Sequence, residues 1–138
     1  MTTTDPATDL PLPTPNAESQ AFWDACADGR LTLARCTACD AVQFPPQATC
    51  TACGGTTGTP FDASGRGQVF TFTVNHRAPG PAFAARAPYV IALVDLEEGP
   101  RLMMNVINCA PEDVAIGLAV RVVFEKRGDM ALPQAEIA

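Results

Sequence analysis

Cys36, Cys39, Cys50 and Cys53 form two pairs, each with two residues between its members and with ten residues between the pairs. Two intervening residues let one backbone turn aim both sulfurs at a single cation, and two such turns complete a tetrahedron around zinc. The ten-residue spacer is shorter than the usual range for this pattern and implies a compact ribbon, two knuckles joined by a short hairpin. Disulfides need an oxidising compartment, and the opening MTTTDPATDLPLPTP has neither the basic nor the apolar region of a secretory signal. A thioredoxin-type pair would open a helix after a strand, and neither pair is so placed. Iron in a rubredoxin-like four-thiolate site shares the geometry, while availability and the ribbon context favour zinc. Four protein thiolates leave no open coordination position, so the metal is expected to be structural.

The apolar count agrees. Between Arg30 and Ala63 the large apolar residues are chiefly Leu31, Leu33, Val42, Phe44 and Phe61, too few to hold a module of that size. Structural zinc contributes on the order of 10 to 16 kcal/mol in comparable peptides, enough to supply the deficit. The remaining two cysteines, Cys26 and Cys109, lie outside the pattern and read as small buried apolar residues.

Around the ribbon, periodicity divides the chain. Residues 1–15, rich in Thr, Asp and Pro, read as a disordered tail. Asn16 as an N-cap and Gly29 as a stop bracket a short helix within 16–29, with Phe22, Trp23 and Cys26 along one face. So short a helix is marginal alone, and that face packs either on the protein's own ribbon or on a partner subunit. The ribbon occupies 30–63, and the Gly54-Gly55 pair allows the tight backbone that follows a knuckle. From residue 64 to 138 the pattern is all-β. Phe70, Phe72 and Val74 alternate with Thr71, Thr73 and Asn75, Ala78 to Pro88 reads as an exposed loop, and Tyr89 to Leu96 is apolar on both faces apart from Asp95. Arg101 to Ile107, one helical turn at Pro111 to Val114, and the alternation through Val120, Val122 and Phe124 complete a set of four or five short strands. The expectation is a mainly β chain with a short N-terminal helix, a rubredoxin-like zinc ribbon and a small closed OB-fold barrel.

Charge limits the function classes. A formal net charge of -6 argues against general nucleic-acid binding, which rests on Lys and Arg neutralising phosphates. No apolar run approaches the length of a membrane helix, and the chain reads as soluble and cytoplasmic. Five acids and no Lys or Arg precede Arg30, whereas Ser64 to Val94 carries Arg66, Arg77, Arg86 and His76 with no acid. That local basic region suits one small anionic ligand better than a polyanion. His76, the only histidine, has no visible acid or base partner and reads as structural.

From Phe22 to Pro133 the chain closely resembles the DUF35 family of zinc-ribbon and OB-fold proteins. The matching text is FWDACADGRLTLARCTACDAVQFPPQATCTACG, then GRGQVFTFTVNHRAP, PYVIALVDLEEGPRLMMNVI and PEDVAIGLAVRVVFE, in that order. Many members have Gly after the second cysteine, Arg after the two prolines and Leu-Pro-x-Phe near the end, where this chain has Asp40, Gln47 and Ala135. The resemblance implies a non-catalytic accessory subunit of a thiolase-like enzyme: a thiolase, a synthase or a steroid side-chain aldolase. Such a subunit helps form or cover the partner's acyl-CoA site within a hetero-oligomer. On that reading Phe22, Trp23, Phe44, Pro45 and Pro46 are candidate partner contacts, and Arg66, His76, Arg77, Phe83 and Arg86 are candidate CoA contacts, with solvated arginines in weak ion pairs as the alternative. The competing function is a nucleic-acid-binding module, because barrels and ribbons both serve that role elsewhere.

Overall fold

The computed structural model describes residues 10–138, so the first nine residues of the expected tail lie outside the described residues. Leu10 is buried, at 3% exposed, and the Pro11 carbonyl accepts a bond from Arg127 Nη1 at 3.4 Å, while Pro11, Leu12 and Thr14 are exposed. The helix is shorter than its sequence signals, α1 (Gln20–Ala27). Asn16 caps the turn before it instead. Its Oδ1 accepts from the Ser19 N–H at 2.8 Å, while Ser19 Oγ accepts from the Asn16 N–H at 2.9 Å.

Three short strands make the ribbon sheet, β1 (Thr32–Arg35), β2 (Val42–Gln43) and β3 (Phe61–Asp62), ordered β2-β1-β3 with antiparallel pairing. Five longer strands follow: β4 (Arg66–Asn75), β5 (Tyr89–Leu96), β6 (Arg101–Val106), β7 (Ala119–Arg127) and β8 (Met130–Ile137). They close as β4-β5-β6-β8-β7, with a 3-10 turn at Pro111–Asp113 ahead of β7, which is the expected five-stranded OB barrel. The loop read as irregular between β4 and β5 contains one helical turn, α2 (Pro81–Ala84), opened by Pro81 at its first position.

Two local departures from simple alternation shape the barrel surface. A bulge between Val69 and Thr71 leaves Phe70 without a cross-strand partner, so Val69 turns inward and Phe70 is 45% exposed instead of sharing the inner face with Phe72. The Arg101 guanidinium covers its ring at 3.5 Å. The second departure is the closure between β6 and β8, where the parallel ladder has one residue pair, Val106 with Ala135. The Leu96 N–H donates to the Pro100 carbonyl, which sets the β5–β6 register so that Arg101, Met103 and Asn105 turn their backbone groups away from β5. The Asn105 N–H meets Gln134 Oε1 at 2.8 Å, and the Ile107 N–H meets the Ala135 carbonyl. Because Ala135 faces β6, so does Pro133 two residues earlier, and the N–H that proline lacks falls in this seam, outside the β7–β8 ladder.

One hydrophobic core joins everything. Phe22, Cys26, Leu31 and Leu33 from the helix and ribbon cluster with Val69, Val90, Val94, Leu102, Val120 and Ala135 from the barrel. The ribbon and barrel read from sequence as successive modules therefore share buried surface, and apolar burial at about 25 cal/mol per Å² couples their stabilities.

Candidate functional site

The metal centre is built twice over. Both knuckles read Cys-Thr-Ala-Cys, and their backbones match: the Cys36 N–H donates to Ala41 and the Cys50 N–H to Gly55, while the Asp40 N–H donates to Cys36 and the Gly54 N–H to Cys50. The residue after each second cysteine is left-handed, Asp40 at φ 67 and Gly54 at φ 78, so Asp40 occupies the position that favours glycine. The four sulfurs lie within 4.8 Å of one another, with Cys36 to Cys53 at 3.5 Å and Cys39 to Cys50 at 3.7 Å. A tetrahedron with zinc–sulfur bonds of about 2.3 Å has edges of about 3.8 Å, so the donor set fits zinc.

Backbone amides prepare the sulfurs. The N–H groups of Cys39 and Ala38 hold the Cys36 thiol down to about 6, and those of Cys53 and Ala52 lower Cys50. For Cys39 a bond to Ala41 works downward, but the neighbouring sulfurs and burial outweigh it and push that thiol up to about 12. Four thiols this close resist simultaneous ionisation unless a cation sits among them. A Cβ on Gly55 would stand 3.2 Å from Cys53 Sγ and 3.3 Å from the Ala38 Cβ, so a side chain there would crowd the sulfurs.

The candidate partner residues converge on one groove. Phe22 is buried, packed edge-on against Trp23 with ring centroids 5.0 Å apart and against Phe44 at 5.3 Å. The helix face thus packs first on the protein's own ribbon. Trp23, Phe44 and Pro45 continue outward and line a groove of about 570 Å³ whose far wall is Ile91, Met103, Leu132 and Pro133 of the barrel. Pro46 does not line this groove and instead faces two other hollows with Glu18 and Gln47.

The candidate CoA contacts do not form one cluster. Phe83 of α2 lies against Tyr89 with ring centroids 5.9 Å apart. These two rings line the partner groove and also a second hollow of about 440 Å³ with Arg86, Asn105, Cys109 and Glu125. Arg86 is committed to Glu125 at 2.8 Å. Glu125 also accepts from the buried Arg127 at 2.7 Å. Arg66 sits at the start of β4 beside Glu97 at 3.5 Å, whereas His76 and Arg77 are exposed just beyond its end. Nine strand steps separate the two ends, roughly 30 Å, so Arg66 and the His76-Arg77 pair serve different surfaces. Cys26 is fully buried and its thiol is pushed up to about 11 by burial, whereas Cys109 is half-buried.

Sequence reasoning missed Met103, Leu132 and Pro133, which reach the groove from separate segments. The available signal was the apolar outer face of β5, continued across the sheet by the Leu93–Met103 pair. No helix among the described residues is long and apolar enough to cross a membrane.

Comparison with known proteins agrees with this architecture. Residues 23–57 match the profile described as "ChsH2, rubredoxin-like zinc ribbon domain", and residues 62–125 match "ChsH2, C-terminal OB-fold domain". A probable enoyl-CoA hydratase alpha subunit of Thermomonospora curvata is 39% identical over 80% of the chain. A DUF35 domain-containing scaffold protein of Methanocaldococcus jannaschii is 43% identical over 67%. The chain spans 34% of the length of the first relative and 65% of the second. A solved structure described as the Ltp2-ChsH2(DUF35) aldolase superposes with a TM-score of 0.80 at 35% identity, covering 91% of this chain and 98% of that one.

Proposed function

Because this chain belongs to the DUF35 family, we propose that it is a non-catalytic accessory subunit of a thiolase-superfamily enzyme acting on acyl-CoA, in a hetero-oligomer. The observation that carries the reading is the convergence of Trp23, Phe44, Pro45 and the exposed Met103 on one apolar groove, since a contiguous apolar surface rimmed by polar residues marks an interface. Similarity to the Ltp2-ChsH2(DUF35) aldolase supports an enzyme as the partner. The zinc centre has no open ligand position and takes a structural part, fixing the Phe44-Pro45 hairpin beside α1. The nucleophile and base belong to the partner, and the reaction is carbon–carbon bond cleavage or formation on the acyl-CoA.

On the CoA side, Arg77 is a cation offered to solvent next to the exposed His76, near the Phe83–Tyr89 pair that would meet an apolar pantetheine arm. Arg86 acts by holding Glu125 and the α2 loop. A nucleic-acid module needs a basic groove, and here Arg66, Arg86, Arg101, Arg121 and Arg127 each face a carboxylate.

Capture of the tagged chain from its host with the complex intact, followed by mass identification of whatever is present in stoichiometric amount, tests the proposal. A thiolase-superfamily enzyme is the expected result. A stoichiometric partner of another class, or none, overturns it.

A further inference from the structure

The seam between β6 and β8 opens directly onto the partner groove. Arg101 and Met103 turn their N–H and C=O groups away from β5 by register, and among the described residues no strand pairs with them on that side, since the β6–β8 ladder is confined to Val106 and Ala135. Met103, 73% exposed, stands on this edge and in the groove at once. The facing edge of β8 carries Pro133, which protects that side against strand pairing, whereas β6 has no such block. An exposed edge beside an apolar trough is the arrangement by which a sheet accepts one more strand, with main-chain bonds giving affinity and alternate side chains filling the trough.

We propose that β6 at Arg101–Met103 receives an extended segment of the partner subunit, with apolar side chains pointing into the groove and basic ones alternating with them at the rim. This deepens the accessory-subunit reading and rests on it. The charge beside the groove selects the occupant: Asp24 is exposed next to the groove-lining Trp23 and has no ion pair among the described residues, whereas Asp28 and Asp62 share Arg30. A second copy of this chain would bring the same acid and the same α1 wall against the first. A helix would leave the Arg101 and Met103 backbone groups unpaired. An extended segment with alternating apolar and basic residues satisfies edge, trough and rim together.

The probe is a capped eight-residue peptide of alternating Val and Lys, titrated into the full zinc-loaded chain. Trp23, the sole tryptophan, lies in the groove and reports occupancy through its emission. The expected result is a saturable blue shift, with slowed amide exchange at Met103 in the same titration. Met103→Pro removes only an N–H that β5 does not use, so the variant should keep its melting temperature and zinc while binding at least tenfold more weakly. Met103→Gln keeps the donor and should lose less. Absence of a saturable shift, equal binding of a peptide with four Val followed by four Lys, or an unprotected Met103 amide at saturation overturns the proposal. The same holds if a folded Met103→Pro variant binds like the parent. None of these outcomes bears on which enzyme the capture experiment recovers, so the two readings fail separately.

Discussion

Gln134 Oε1 lies 2.8 Å from the amide nitrogen of Asn105, and a buried side chain thereby supplies a rung that the parallel ladder between β6 and β8 does not. Asn105 in turn donates its side-chain amide to the Val90 carbonyl at 2.9 Å, so Asn105 ties the end of β6 to β8 through Gln134 and to β5 through its own side chain. Gln134→Met keeps the length and removes the acceptor. A buried donor left unpaired costs about 1–3 kcal/mol, and urea unfolding should show a loss of that size with an unchanged denaturant slope.

Cys36→Ser should lower bound zinc well below one equivalent, measured by metal analysis after gel filtration. Because Leu31 and Leu33 sit in the barrel's core, the loss should not appear as a separate ribbon transition. Forfeiting several kcal/mol of metal-linked folding energy predicts one melting transition displaced downward by about 10 °C or more. A variant that holds a full equivalent of zinc and melts like the parent would refute the centre.

The left-handed residues after the two knuckles give a matched pair. Asp40→Gly relieves a backbone conformation that L side chains adopt at a cost, and the Arg35 contact it gives up, 3.7 Å between well-exposed groups, is worth little. A gain of about 0.5–1 kcal/mol in chemical denaturation is expected, set against the larger chain entropy of glycine in the unfolded state. Gly54→Ala meets no atom within 4 Å and should lose about 1 kcal/mol through backbone strain alone. Equal effects of the same sign would contradict the assignment.

Glu125 carries a pH dependence. Burial works to raise its carboxyl, but hydrogen bonds from Arg86 and Arg127 outweigh it and hold the group below its ordinary value of 4.5. A folded-state value below the unfolded one gives stability that is present above the unfolded value and lost as pH falls through the folded one. The destabilisation caused by Glu125→Gln should therefore be largest near neutral pH and shrink below about pH 4, read from urea midpoints across that range.

Arg77→Ala removes an exposed cation with no ion pair among the described residues and should weaken the purified complex's apparent affinity for acyl-CoA several-fold, with the chain's melting temperature unchanged. Arg86→Ala should lower stability as well, because it strips one partner from Glu125. Unchanged acyl-CoA affinity in both variants would remove this edge of the barrel from the CoA site.

The knuckles were legible because two-residue spacing leaves thiolates few other uses, and the barrel because its strands carry their own period. Phe70 was misplaced for a reason no alternation reveals: a bulge adds one residue and flips the face. Arg66 and Arg77 look like neighbours in a basic stretch, yet an extended strand converts sequence distance into real distance and parts them. The groove needed Met103, Leu132 and Pro133 brought to Trp23 and Phe44 by barrel closure, and long-range pairing is what local pattern does not contain. Pro133 is tolerated inside β8 because its missing N–H faces the seam, where the β6–β8 ladder holds a single pair.

The near-symmetry of the two knuckles has a kinetic side. Their bonds correspond one for one, but the residue completing the first turn is an aspartate and that completing the second a glycine, so the backbone tension of the site is carried by one half. When a chelator competes for the ion, the Cys36–Cys39 arm, which ends on the left-handed Asp40, is expected to yield before the Cys50–Cys53 arm, which ends on Gly54. Metal exchange is then expected to proceed in an order, with the first arm detaching while the second still holds, so that a one-residue asymmetry in an otherwise repeated motif would set the direction in which the centre comes apart.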